Sequence, residues 1–191
     1  MGVKDDFSGS SILGKVNLIV LLVANFCNWI AFCTAEWGKN YASVNDYNLN
    51  IFNGWGLWRI CGNTLSNAGC NQLDGWALDW YGAVQAFAIF AFVGINVAFL
   101  LVVLMMFTSK CKGNGDAGMA SAILCLVAAV CYLIAVIIFA YYFSVVYTVF
   151  TINLRPVGYS LILAIIALIL AFVSGILIIV DLKKGGSTSP A

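Results

Sequence analysis

Four long apolar runs, residues 16–35, 81–107, 119–142 and 157–180, contain no Asp, Glu, Lys or Arg. Roughly 20 residues of helix cross a hydrocarbon core, and each run is at least that long. A soluble globule of 191 residues could not hide four such helices, because 63% of the chain is apolar and only 9% is charged. Soluble domains are about 25% charged. Bilayer lipid is therefore part of the solvent, and the runs read as four spanning helices in one domain.

The same composition excludes several functions. The chain has no histidine, which removes the usual general base near neutral pH and the commonest metal ligand. No nucleophile–base pair, phosphate-binding glycine loop or metal-ligand cluster can be assembled. We expect no enzyme, no cofactor and no metal. A net charge of +1 gives no reason to expect nucleic acid.

The first run has one rival reading, a cleaved signal peptide, with Lys15 before it and small residues near Cys33 and Ala35. It is long for an apolar signal core of ~7–15 residues, and Asn17, Asn25 and Asn28 suit a bundled helix better. The Met1-Gly2 start lacks the hydroxyl residue of an N-myristoylation motif, having Asp6 instead.

Orientation follows from where the basic residues fall. Lys4, Lys15, Lys110, Lys112, Lys183 and Lys184 lie in short segments on one side. Lys39, Arg59 and Arg155 are spread over longer segments on the other. Both termini are expected in the cytoplasm, with residues 36–80 and 143–156 as outer loops. The tail, 185–191, is Gly/Ser/Thr with one proline and is expected to be disordered.

Helices in lipid gain little by hiding apolar surface from one another, so small residues mark their seams. Candidate seams are Gly82, Ala86, Gly94 and Ala98; Ala122, Cys125 and Ala129; and Ala164, Ala167, Ala171 and Gly175. Asn25, Asn28 and Asn96 are expected to hydrogen-bond across helix pairs; the alternative is a polar pore lining. After Tyr141 and Tyr142, residues 144–151 are rich in β-branched and aromatic side chains. There the third helix either projects past the membrane or turns into a strand.

The first outer loop is too long to lack structure of its own. Polar and apolar residues alternate from Asn48 to Phe52, and Asn53-Gly54 predicts a hairpin turn, with Trp55-Gly56-Leu57-Trp58 opening a second strand. Of seven cysteines, Cys61 and Cys70 alone fall in this loop. The outer face is oxidising, so a structural disulfide between them is favoured over a zinc or redox site. Gly62, Asn63, Asn67 and Gly69 suit a turn between two strands joined by that bond. Cys27, Cys33, Cys125 and Cys131 fall in spans as packed thiols. Cys111, between Lys110 and Lys112, is either a palmitoylation site or a plain thiol. The loop tryptophans Trp37, Trp55, Trp58 and Trp76, with Trp80 at its edge, anchor at the membrane interface, wedge between sheet and helix ends, or do both. No Asn-x-Ser/Thr sequon is present, so no N-glycan is expected.

Trp37, then Gly56-Leu57-Trp58, Cys61 and Cys70 resembles the W…GLW…C…C signature of the claudin superfamily, which includes the peripheral myelin, epithelial membrane and channel γ-subunit proteins. Residues 155–161, Arg-Pro-Val-Gly-Tyr-Ser-Leu, also resemble a claudin entry into the fourth helix. The chain departs from claudins at Asp79-Trp80-Tyr81, where many carry a basic residue, and at Thr188-Ser189-Pro190-Ala191, where claudins usually carry a valine-terminated scaffold-binding tail. The resemblance implies a left-handed four-helix transmembrane bundle with a small extracellular antiparallel β-sheet. It further implies a plasma-membrane protein of cell–cell junctions. Such a protein associates with itself side by side and across cells to form a paracellular barrier or an ion-selective pathway. The alternative is an auxiliary subunit of a channel or receptor. Candidate gap-facing charges are Asp46, Asp74, Asp79 and Arg59; with Glu36 and Lys39 the loop balance is negative, which would favour cations.

Overall fold

A computed structural model describes residues 10–44, 49–64, 67–108, 111, 114–147 and 157–186. The four apolar runs form helices α1 (Ile12–Cys33), α2 (Asp79–Phe107), α3 (Gly115–Tyr147) and α4 (Tyr159–Gly186). Each is long and apolar enough to cross a membrane. Ile19, Phe26, Phe90, Val130, Ile137 and Phe172 are each at least half exposed along these helices. In water that much bare apolar surface would drive association; in lipid it meets a matching solvent.

Three helices run several residues past an apolar run, because polar groups extend them. The Ser11 hydroxyl accepts the Gly14 N–H at 2.8 Å and caps the start of α1. Asn114 does the same for α3, accepting from the Asp116 and Ala117 N–H groups at 3.0 and 3.4 Å. Lys183 and Lys184 lie in the last turn of α4, where cations complement the helix dipole. Helix α3 continues to Tyr147, so the stretch after Tyr142 is helical at least that far. Residues 148–156, including Arg155 and Pro156, lie outside the described residues, as do Lys4, Lys110 and Lys112; of the tail expected to be disordered, Gly185 and Gly186 instead end α4, and residues 187–191 lie outside the described residues.

Contacts group the chain into two compact units. One comprises the described residues of Met1–Phe26, Phe90–Val130 and Ile166–Ala191. Its seams are built from small residues. Ala122, Cys125, Ala129, Ala167 and Ala171 are buried. A Cβ on Gly94 would lie 3.0 Å from Ala128 Cβ, and one on Gly175 would lie 2.9 Å from Leu126 Cγ. A buried polar chain ties three helices: Ser174 donates to Asn17 Oδ1 at 2.5 Å, and the Cys125 thiol to Ser174 Oγ at 3.9 Å. The Ser121 hydroxyl donates to the Ala98 carbonyl at 3.1 Å.

The second unit comprises the described residues of Cys27–Ile89 and Cys131–Ile165. It holds a four-stranded antiparallel sheet in chain order, β1 (Gly38–Val44), β2 (Leu49–Trp55), β3 (Arg59–Thr64) and β4 (Asn67–Gln72). The expected polar bridge between helices is present at Asn28, whose side-chain oxygen accepts the Tyr132 hydroxyl. Asn25 Oδ1, in the first unit, is by contrast buried with no hydrogen-bond partner among the described residues. Asn96, in the other unit, donates back to the Phe92 carbonyl of its own helix at 2.8 Å.

Two sequence expectations need correction. Ala86 is exposed, and the buried stripe of α2 runs through Val84, Ala88, Ala91, Ile95 and Ala98. Steps of four residues drift about 40° around a helix each time, so a stripe spaced only in fours leaves the seam, whereas alternating fours and threes hold it. The second concerns Asn53-Gly54, which does not turn. Asn53 pairs with Asn40 and Gly62, and Gly54 with Lys39 and Cys61, inside a central strand. The reversal falls instead at residues 56–58, closed by the Gly56 N–H donating to the Arg59 carbonyl at 2.9 Å. Packing of that turn on the helix ends outweighs the local preference of Asn-Gly.

The polar chain gives a direct test. Ser174→Ala and Asn17→Leu should each lower stability by about 0.6–2 kcal/mol in reversible unfolding in detergent micelles. The double variant should lose little more than either single one, since both remove the same bond; full additivity would contradict the assignment.

Candidate functional site

Of the residues singled out by motif, Trp37, Gly56, Leu57 and Trp58 meet where the β2–β3 turn rests on helix ends. A helix leaving lipid must satisfy its unpaired terminal backbone groups. At the C-terminus of α1, Thr34 Oγ1 donates to the Ile30 carbonyl at 2.6 Å, and Arg59 donates to the Cys33 carbonyl at 3.2 Å. At the start of α4, the Gly158 N–H donates to the Trp37 carbonyl at 2.9 Å and the Ser160 N–H to the Glu36 carbonyl at 3.1 Å. Thr34 and Ser160 also share a hydroxyl–hydroxyl bond of 2.6 Å.

Trp37 occupies the centre of this joint. Its side chain is fully buried, its indole N–H donates to the Ala31 carbonyl at 2.7 Å, and its ring meets Phe139 edge-on at 5.5 Å. Its backbone N–H donates to the Trp55 carbonyl at 2.7 Å, tying the residues after α1 to β2. The turn is held from the other side by α2. The Tyr81 hydroxyl donates to the Gly56 carbonyl, and Gln85 Nε2 donates to the Leu57 carbonyl at 2.7 Å. Leu57 is fully buried. A Cβ at position 56 would strike the Ala35 backbone and the Thr34 carbonyl, which is why glycine stands there. Trp58 meets Phe32 edge-on at 5.1 Å, and its carbonyl accepts the Leu73 N–H at 2.8 Å. Cys61 and Cys70 face each other across β3 and β4 and are disulfide-bonded.

Three of the tryptophans take the expected wedging role. Trp37, Trp55 and Trp58 pack against Phe139, Phe143 and Phe32 of the helices. Trp80 stacks on Tyr142 at 5.4 Å, and Trp76 is 94% exposed.

A matching family model covers residues 11–178, described as the PMP-22/EMP/MP20/Claudin family. The chain belongs to that family. It is a membrane protein of the claudin-like four-span fold, and no individual curated protein sequence matches it. In this family member, motif residues Trp37, Gly56, Leu57, Trp58, Cys61 and Cys70 all lie in the sheet and its joint with the helices.

The candidate charges do not gather into one cluster. Asp74 caps a short 3-10 turn (Gly75–Ala77), accepting the Trp76 N–H at 3.1 Å. Asp79 opens α2, Arg59 is spent on the Cys33 carbonyl, and Asp46 lies outside the described residues. Glu36 and Lys39 form an ion pair of 2.6 Å. Cys111 sits half-exposed in a turn beyond α2, where its N–H donates to the Thr108 carbonyl at 2.9 Å. Among the described residues, no three His, Cys, Asp or Glu side chains come together as a metal site requires. Sequence reasoning missed Tyr81, Gln85, Thr34 and Ser160 as parts of the joint. Positions 158 and 160 left a trace, through the likeness of residues 155–161 to a claudin helix entry.

Gly56→Ala should cost about 1–3 kcal/mol in unfolding measured in micelles, since backbone atoms block the new methyl group. Gly69→Ala has nothing within 4 Å and should stay within about 0.5 kcal/mol of the parent. Cys61→Ser should cost about 2–3 kcal/mol, set by closure of a short loop.

Proposed function

We propose that this family member is a junctional adhesion protein of the plasma membrane, with both termini cytoplasmic and the sheet outside the cell. Copies associate through their sheets, side by side and across the intercellular space, and form a paracellular barrier or an ion-selective pathway. The observation that carries this reading is the sheet itself. Its order leaves β1 and β4 as edge strands, and residues 69–72 of β4 are exposed. A sheet edge offers unpaired backbone groups to a further strand. Fixing the sheet on the helix ends limits the entropy lost when it meets a partner.

The loop charges favour a cation pathway. Glu36 is neutralised by Lys39, while Asp79 makes no ion pair among the described residues. Carboxylates lining a narrow aqueous route attract cations and repel anions.

Expression in a low-resistance epithelial monolayer should change the electrical resistance and raise sodium over chloride permeability. Neutralising Asp46 and Asp79 together to Asn should return the permeability ratio toward that of untransfected cells. Unchanged resistance and permeability in the presence of surface protein would contradict the proposal. Stoichiometric co-purification with a channel or receptor, without self-assembly, would replace it with the auxiliary-subunit reading.

A further inference from the structure

One open cleft of about 450 Å³ lies beside the joint, lined by Trp58, Gln72, Asp74, Trp76 and Gln85 among others. Its size is within the range of small-ligand sites. Two indoles and one carboxylate are among its walls, and among the described residues neither Lys nor Arg lines it. One oxygen of Asp74 caps the 3-10 turn, and the carboxylate makes no ion pair among the described residues. Trp76 is 94% exposed and makes no ring contact among the described residues. The wall behind them is fixed. Gln85 donates to the Leu57 and Leu73 carbonyls at 2.7 and 3.5 Å, and Gly75 approaches its side-chain oxygen so closely that a Cβ there would collide with it.

The position of the cleft in the chain selects its occupant. The 3-10 turn ends two residues before the apolar helix α2 begins, and Gln85 lies in that helix's second turn. Between them, Trp80 stacks on Tyr142, and neighbouring Tyr141 is largely exposed. A band of Trp and Tyr at the end of a spanning helix marks the level of lipid headgroups. A cation with an apolar shell is the chemistry that indole faces and a carboxylate hold together.

We propose that this cleft binds a quaternary ammonium group, supplied by the choline headgroup of a membrane lipid. Asp74 provides the counter-charge, and Trp76 and Trp58 provide the aromatic faces. The site is independent of the adhesive role and of the orientation proposed above.

The full chain, reconstituted in nanodiscs of mixed lipid and analysed by native mass spectrometry, tests this directly. Phosphatidylcholine should be retained over phosphatidylethanolamine and phosphatidylglycerol. Asp74→Asn keeps an oxygen to cap the turn but removes the charge, and Trp76→Ala changes a side chain that is bare in the fold. Each should lower phosphatidylcholine retention by about fivefold or more, with the melting temperature of the parent unchanged. Equal retention of the three lipids, or full retention in both variants, would overturn the site. Saturation by free phosphocholine as readily as by the lipid would keep the quaternary-ammonium chemistry and overturn the lipid source. Occupation of the cleft by a co-purified basic polypeptide, seen as protection of Trp76 from oxidative labelling, would overturn the proposal.

Discussion

Where a helix leaves hydrocarbon, its last carbonyls and first N–H groups lose their internal partners, and lipid offers none in return. That constraint organises the sheet-bearing unit. The carbonyls of Ile30, Ala31 and Cys33 accept from Thr34, Trp37 and Arg59, and the first N–H groups around α4 donate to the carbonyls of Glu36 and Trp37. The chain segment that follows α1 thus satisfies the ends of two helices and pairs with β2 through one more bond. The sheet is attached through backbone groups rather than resting on side chains alone.

The turn at residues 56–58 closes the attachment from a third helix. Tyr81 and Gln85 reach from α2 to the carbonyls of Gly56 and Leu57, and glycine at 56 lets the turn approach the backbone near Ala35. The Trp–Gly-Leu-Trp spacing of the motif is the sequence trace of this contact. The disulfide acts one strand further out, joining β3 to β4. In the proposed adhesive role the division of labour is clear: the joint fixes the sheet, the disulfide fixes its outer hairpin, and the edge strands remain to meet partners.

Much of this was legible in the sequence, for reasons that can be named. The spans were readable because charge-free runs of that length have one stable solution in lipid. Their ends were less so, since Ser11 and Asn114 are polar yet extend the helices as caps. The Cys61–Cys70 bond followed from two cysteines isolated in one loop. The Asn53-Gly54 turn failed because local preference yielded to the seating of residues 56–58 on the helix ends, a long-range contact that no window of sequence contains. Ala86 failed because a stripe stepped only in fours drifts off the seam. Gln85 and Thr34 carry no motif of their own; they, Tyr81 and Ser160 became parts of the joint through partners distant in sequence.

Site-resolved hydrogen exchange in lipid nanodiscs bears most directly on the central claim, that backbone bonds clamp the sheet to the helix ends. The amides of Trp37, Gly56, Gly158 and Ser160, each donating to a carbonyl at 2.7–3.1 Å, should exchange as slowly as those inside the spanning helices. Exchange at the rate of an unattached surface loop at these four positions, with the helices protected, would contradict it.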